Sequence, residues 1–238
     1  MALTEKLTAV ADAIREKTGG TDPLTLEQMA AEIAGIEAGG GGQWTADGIA
    51  NRSQPAGTID LTVDLVANNA FYSCRGIEVV NAPNLMLIGS SSFFGCTSLH
   101  TLNAPRLRSI EQNGLADTVI ETLEMPNADR SPFGYSGLGN MKALKKVEIG
   151  EGGKNIPGLA FNACAALSTL ILRNTSGVSL VHANAFNGTP FGSGGSGGTI
   201  YIPKALLDSD WYTQATNWSV VDGYGTITWR AIEGSEYE

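Results

Sequence analysis

One short motif recurs through the middle of this chain at a nearly constant interval. Each copy begins with a Phe or Leu, and successive copies lie 22, 22, 23, 23 and 25 residues apart. The leading residues are Phe71, Phe93, Leu115, Leu138, Phe161 and Phe186. A fixed period of this length is typical of a solenoid, in which each coil packs against the coils before and after it.

Each copy also carries three apolar positions in the order L-x-x-L-x-L. The last two are two residues apart, which is the spacing of side chains on the same side of a β-strand. A proline at 83, 105, 126 or 203 then ends the predicted strand, because proline has no N–H to donate. We therefore expect stacked coils with one short strand each. The columns are Ile77, Leu99, Ile120, Leu144 and Leu167; Val80, Leu102, Leu123, Val147, Leu170 and Ile200; and Ala82, Ala104, Met125, Ile149, Leu172 and Ile202.

Three stretches of the chain carry a family resemblance. Residues 96–110, CTSLHTLNAPRLRSI, resemble the BspA-type leucine-rich repeat of bacterial surface adhesins and of phage and prophage tail proteins. Residues 3–36 resemble an N-terminal module of phage tail and baseplate proteins from Gram-positive hosts, and residues 200–238 are similar to the segment that closes such repeat proteins. The resemblance implies an α+β repeat fold: a leucine-rich-repeat solenoid with short parallel strands, an N-terminal helical hairpin and a C-terminal cap.

Composition divides the chain into four parts. Residues 1–38 have the apolar spacing of two short amphipathic helices and are predicted to form an attachment module. Residues 39–43 are a glycine-rich linker, residues 44–203 the solenoid, and residues 204–238 a C-terminal cap with an acidic tail. A hairpin of this size must dock on something, either its own solenoid or a neighbouring tail subunit.

The net charge of −9 is concentrated at the two ends of the chain. Residues 1–38 carry three basic and seven acidic side chains, residues 205–238 carry one and six, and the middle balances at eleven and eleven. This distribution argues against a nucleic-acid partner, and the sequence contains no apolar run long enough to insert into a membrane. The sequence also begins without a signal-peptide pattern. We therefore expect a virion protein of the phage tail, made in the bacterial cytoplasm, with the bacterial cell surface as the alternative location.

The sequence offers no catalytic, cofactor-binding or metal-binding constellation. His100 and His182 fall in different coils without ligands at suitable spacing. Cys74 and Cys96 occupy one column of adjacent coils and lie within disulfide reach. Because Thr118 and Met141 continue that column, free buried thiols are favoured over a disulfide.

Candidate binding residues come from the strands and from the C-terminal segment. Thr101, Glu148 and Ile171 are predicted to be exposed strand positions on a broad repeat surface. Trp211 and Trp218 either cover the end of the solenoid core, which we favour, or form a platform for sugars. The insertion PFGSGGSGG at 190–198 is predicted to be a flexible surface loop.

These features predict a non-enzymatic phage or prophage tail protein that combines a structural role with host adhesion. Its partners would be a host cell-surface polysaccharide or protein and, through residues 1–38, other tail or baseplate subunits. The resemblance also implies a homotrimer. The alternatives are a bacterial cell-surface adhesin and a purely structural tail subunit. An enzyme, such as a cell-wall hydrolase on a repeat scaffold, is the least favoured class because no acid, base or nucleophile is brought together.

Overall fold

The computed structural model describes residues 55–209, apart from 179, 183 and 193, and residues 227–232. The predicted helical hairpin, the linker and Trp44 lie outside these residues. Every strand pair in the described part is parallel, and the coils form a β-solenoid. The longer strands are β1 (Ala56–Asp60), β3 (Gly76–Asn81), β5 (Thr101–Asn103), β7 (Thr122–Met125), β8 (Lys146–Ile149), β10 (Thr169–Leu172), β12 (Gly198–Ile202) and β13 (Ile227–Ala231). The two-residue strands are β2 (Leu65–Val66), β4 (Leu87–Ile88), β6 (Ser109–Ile110), β9 (Asn155–Ile156) and β11 (Leu180–Val181).

The three predicted columns form the core. All their members are buried except Leu102, which is only partly buried. The leading residues of the repeat add an aromatic stack, in which the ring centroids of Phe71 and Phe93 lie 5.1 Å apart and those of Phe161 and Phe186 lie 5.2 Å apart. Burial of apolar surface across every coil junction therefore holds the stack together.

The side of each coil opposite the longer strands is a turn and contains no helix among the described residues. Its backbone still bonds from coil to coil: the Phe71 N–H donates to Ser92 O at 2.8 Å, and Phe93 N–H donates to Gly114 O at 2.9 Å. The helical part of the predicted α+β class is thus not found in the repeats. In the described part the only helix is α1 (Lys204–Leu207), after the last repeat.

Two residues in most of these turns have positive φ, four positions apart. The second of them precedes the Cys column and is Ser73, Gly95, Asp117, Asn140, Ala163 or Gly188, with φ between 57° and 73°. This region favours glycine and tolerates Asn and Asp, whereas a residue such as Ala163 adopts it at a cost. The conformation reverses the chain within a few residues, so it takes the place of a helix in closing the coil.

The ladder of longer strands is interrupted once, between β5 and β7. Strands β1, β3 and β5 form one sheet, and β7, β8, β10, β12 and β13 form another. The connection into β7 is one residue shorter than the connection into β5, because two residues separate Cys96 from Leu99 whereas one separates Thr118 from Ile120. The shorter connection keeps β7 out of register with β5. This break also explains why Leu102, which lies on β5, is only partly buried.

The C-terminal end of the stack is covered by elements that the sequence predicts in part. Strand β13 continues the sheet beyond β12, and Trp229 on β13 packs against the core. Trp211 and Trp218 lie outside the described residues. The predicted surface loop at 190–198 instead contributes Phe191 to the core, where its ring centroid lies 5.5 Å from that of Phe186. Phe191 was not predicted to be a core residue, because the surrounding sequence is rich in glycine and was assigned to a surface loop.

Candidate functional site

The broadest regular surface of the described residues consists of the outward-facing side chains of the longer strands, here called the strand face. Parallel pairing sets Thr122, Lys146, Thr169, Thr199 and Thr228 beside one another in successive coils. Neighbouring coils lie about 4.8 Å apart, so each row presents its side chains at that interval. The strand face comprises Thr101, Asn103, Thr122, Glu124, Lys146, Glu148, Thr169, Ile171, Thr199, Tyr201 and Thr228.

The sequence-predicted binding residues have different environments on this face. Thr101 is partly buried and reaches the surface. Glu148 is 9% exposed and Ile171 is fully buried, so the prediction that these two are exposed strand positions is wrong. Ile171 has Glu148 and Tyr201 directly opposite it on the adjacent strands, at the distance of cross-strand neighbours. The structure brings Glu148 and Ile171 together and leaves Thr101 on the other side of the strand break.

Glu148 lies at the centre of an ion-pair network across three coils. The Arg173 Nε donates to one Glu148 carboxylate oxygen, and Lys146 Nζ lies 3.7 Å from the other. Lys146 Nζ also donates to Glu124 Oε1 at 3.1 Å. A carboxylate this buried is stable only with such partners. The network therefore fixes the shape of the strand face and neutralises its charge.

Three lysines lie close together in the sequence next to β8, at positions 142, 145 and 146. Lys145 pairs with Glu121 at 2.7 Å, and Lys146 is engaged with Glu124 and Glu148. Lys142 is exposed on the turn side of its coil and has no ion-pair partner among the described residues. The three lysines are therefore separated, and they do not form one anion-binding site.

At the N-terminal half of the strand face, neutral amides replace the ion pairs. Asn81 Nδ2 donates to Asp60 Oδ1 at 2.8 Å, and Asn103 Nδ2 donates to Asn81 Oδ1 at 2.6 Å. The Asn81 amide thus accepts from the following coil and donates to the preceding one. This polar row reinforces the backbone ladder of β1, β3 and β5 and presents hydrogen-bonding groups to solvent.

The described residues contain no group of three or more His, Cys, Asp or Glu side chains that could hold a metal ion. Cys74, Cys96 and Cys164 are free and buried, as the column argument predicts. Burial raises the pKa of the Cys96 and Cys164 thiols to about 12, which disfavours the reactive thiolate. His100 and His182 are exposed in different coils. The described residues thus form an extended polar surface along the longer strands.

A row of threonines on the strand face, here called the threonine row, was not predicted from the sequence. Thr122, Thr169 and Thr199 each precede the second apolar column by one position, as Thr101 does. This shared position in the repeat is the sequence feature from which the row could have been predicted. The strand register is needed to show that all four side chains lie on the outward side of the coils.

Parallel coils of 22 to 25 residues with an L-x-x-L-x-L core define a leucine-rich-repeat solenoid. The family model described as "BspA type Leucine rich repeat region" matches residues 64–191 in six copies. The chain therefore belongs to the BspA-type leucine-rich-repeat family. It matches none of the curated proteins with significant similarity. No helix among the described residues is both long and apolar enough to cross a membrane.

Solved structures of several bacterial proteins match parts of this chain. The pneumococcal vaccine antigen PcpA matches with a TM-score of 0.58 and 15% identity, over 73% of this chain and 41% of that protein. A leucine-rich repeat protein from Bacteroides ovatus matches with a TM-score of 0.47 and 17% identity, over 61% and 44%. A leucine-rich cell surface protein from Faecalibacterium prausnitzii matches with a TM-score of 0.30 and 12% identity, over 75% and 79%. The chain thus spans less than half the length of the first two, and at this identity the likeness to PcpA concerns the fold.

Proposed function

We propose that this chain is a non-enzymatic recognition protein that presents the strand face to a cell-surface polysaccharide or protein. The observation that carries this proposal is the ion-pair network around Glu148, which holds a partly buried acidic side chain at the centre of a flat, repeating surface. A preorganised surface loses little side-chain entropy when a partner binds. The rows of hydroxyl, amide and ion-paired side chains suit a polar ligand that extends over several coils.

In this proposal the protein works in a phage or prophage tail. The support is the resemblance of residues 3–36 and 200–238 to segments of tail and baseplate proteins. Residues 1–38 would attach the solenoid to other tail subunits, and a homotrimer would present three strand faces at once, which increases avidity. Deletion of residues 1–38 should remove the protein from purified particles, and a particle that still contains the shortened protein would refute this arrangement.

A bacterial cell-surface adhesin is the second candidate. The family match over residues 64–191 supports it, because the repeat resembles that of bacterial surface adhesins. The binding chemistry would be the same and the location different. Immunogold labelling of the producing bacterium separates the two: label on intact cell walls favours the adhesin, and label on released particles favours the tail protein.

The recognition function itself is tested by binding of the fluorescently labelled full chain to intact Gram-positive cells and to their purified wall polysaccharide. We expect saturable binding that unlabelled protein displaces. Zymography on the same walls tests the enzymatic alternative, for which clearing would be required. If no cell type or wall fraction binds the protein, a purely structural role in the tail replaces the recognition function.

A further inference from the structure

A second charged surface is formed by residues that come shortly after the longer strands β5, β7 and β8 in the chain. Its cations are Arg106, Arg108, Arg130 and Lys154, from three consecutive coils, and we call this set the cation row. The three arginines are exposed and Lys154 is partly buried. This surface is distinct from the strand face, because the chain has turned away from the sheet at the prolines that end β5 and β7.

Backbone contacts place these cations in neighbouring coils. The Asp129 N–H donates to Arg108 O at 3.0 Å, and the Lys154 N–H donates to Arg130 O at 2.9 Å. Successive coils are about 4.8 Å apart, so positive charges recur along the solenoid axis within reach of one extended ligand.

The arginines of the cation row differ from the cations of the strand face in their partners. Arg106, Arg108 and Arg130 form no ion pair or side-chain hydrogen bond with any described residue, whereas Lys145 and Lys146 are both paired. The acidic groups nearby are fewer than the cations. Asp129 and Glu151 are exposed, and Glu111 accepts a hydrogen bond from Ser90 Oγ at 2.9 Å. The three arginines of the cation row therefore have no ion-pair partner in the described part of the chain, although the whole chain carries −9.

We propose that the cation row binds an acidic polysaccharide. Guanidinium groups hold carboxylates and other oxyanions through paired hydrogen bonds, and several in line match a polymer with repeating negative charges. The next positions along the chain supply hydroxyl and amide groups for sugar hydroxyls: Ser109, Ser131 and Asn155, of which Asn155 Nδ2 donates to Ser131 Oγ at 2.9 Å. Residues 105–111, 126–131 and 151–155 contain no aromatic side chain on which nucleic-acid bases could stack.

This inference rests on the proposed recognition function for the class of ligand, a cell-surface polysaccharide, and adds a second binding surface to the strand face. The test uses the full chain, with polygalacturonate as the acidic probe and dextran as the neutral control. Isothermal titration calorimetry at several salt concentrations compares the wild-type protein with the double variant Arg108→Ala/Arg130→Ala. The matched control is Arg75→Ala/Lys142→Ala, which removes two exposed cations that have no ion-pair partner among the residues described and that lie elsewhere, three coils apart.

We expect the wild-type protein to bind polygalacturonate and not dextran, with an affinity that falls as salt is added. Loss of Arg108 and Arg130 should weaken binding at least tenfold and make the slope of log affinity against log salt shallower by roughly 1 to 2. The control variant should change affinity less than twofold, and both variants should unfold at the wild-type temperature.

Equal losses in the two variants would show attraction to overall charge and would overturn the proposal, as would equal binding of dextran or no binding of polygalacturonate. These results are separable from the cell-binding assay. A protein that binds cells but not polygalacturonate retains its recognition function without this site. A protein that binds the polymer through the cation row but binds no cells or wall fraction has the site without that function.

Discussion

The Cys96 thiol donates a hydrogen bond to the backbone oxygen of Phe71, one coil earlier, with 3.1 Å between Sγ and O. Cys164 makes the same kind of contact with Leu138 O at 3.0 Å. Both bonds require a protonated sulfur, and both thiols are fully buried. The column of cysteines thus joins coils as neutral donors in the absence of a disulfide.

We predict that the protein loses stability in alkali because of these thiols. Burial raises the pKa of Cys96 from 9.0 to about 12, so its protonated form stabilises the fold fully below pH 9 and this contribution falls as the pH rises towards 12. The free energy of unfolding should decrease by up to about 1.4 kcal/mol per pH unit for each such thiol. Denaturant titrations of the wild type and Cys96→Thr between pH 8.5 and 10.5 measure this. Parallel curves for the two proteins would contradict the prediction.

Ala163 should be a site of stabilisation. Its φ of 58° is unfavourable for alanine, and the equivalent position in other coils is Gly95 or Gly188. Ala163→Gly should raise the free energy of unfolding by up to about 1 kcal/mol. Ala165→Gly, at a nearby exposed position without positive φ, should lower it by about 0.5 to 1 kcal/mol. Urea unfolding of both variants checks the contrast, and a loss of stability in both would be evidence against the strained turn.

Loss of Glu148 should be costly. Glu148→Ala removes the carboxylate that Arg173 and Lys146 share in a partly buried place, and we expect a loss of about 2 kcal/mol. Glu121→Ala removes the exposed pair with Lys145, whose side chains are 61% and 59% exposed, and should cost less than about 1 kcal/mol. Thermal and urea unfolding measure both. Equal effects would mean that the Glu148 network does not hold the strand face.

The break between β5 and β7 should appear in amide hydrogen exchange. The Glu121 and Met125 carbonyls accept from β8, so the backbone groups of Thr122 and Glu124 point towards β5, with which they do not pair. Their amides should exchange faster than those of Lys146 and Glu148. Insertion of one serine between Val119 and Ile120 restores the common spacing and should slow this exchange. Similar protection of all four amides in the wild type would contradict the break.

Much of the fold follows from sequence periodicity alone. The apolar columns and the prolines after the strands were available from spacing and composition. The α+β class came from the family resemblance. The described repeats contain no helix, because the positive φ of residues such as Ser73 and Asn140 closes the coils as turns. Phe191 was missed because its neighbours are glycine and serine. Leu102 was predicted to lie in the core because its own column of apolar residues is regular. The shorter connection that interrupts the sheet lies in the next coil, between Thr118 and Ile120.

The binding surface was less predictable than the core. Alternation along a strand places Ile171 outside, but its burial depends on the side chains of β8 and β12, whose register only the structure gives. Glu148 was likewise assigned to the surface, since its ion-pair partner Arg173 is 25 residues away in sequence. Prediction of the threonine row required both the alternation of side chains along each strand and the register between strands. A repeat therefore reveals its core through periodicity, whereas its surface depends on contacts between coils.

The central claim is that the strand face carries recognition, and arginine substitutions on two sides of the solenoid test it most directly. Thr122→Arg places a long charged side chain on the strand face, and Thr97→Arg places the same group at an exposed position on the turn side of the preceding coil. Binding of the labelled full-length proteins to the same Gram-positive cells is then compared. We predict at least a tenfold loss of affinity for Thr122→Arg and less than a twofold change for Thr97→Arg. Unchanged binding by Thr122→Arg, with the fold intact, would contradict the account.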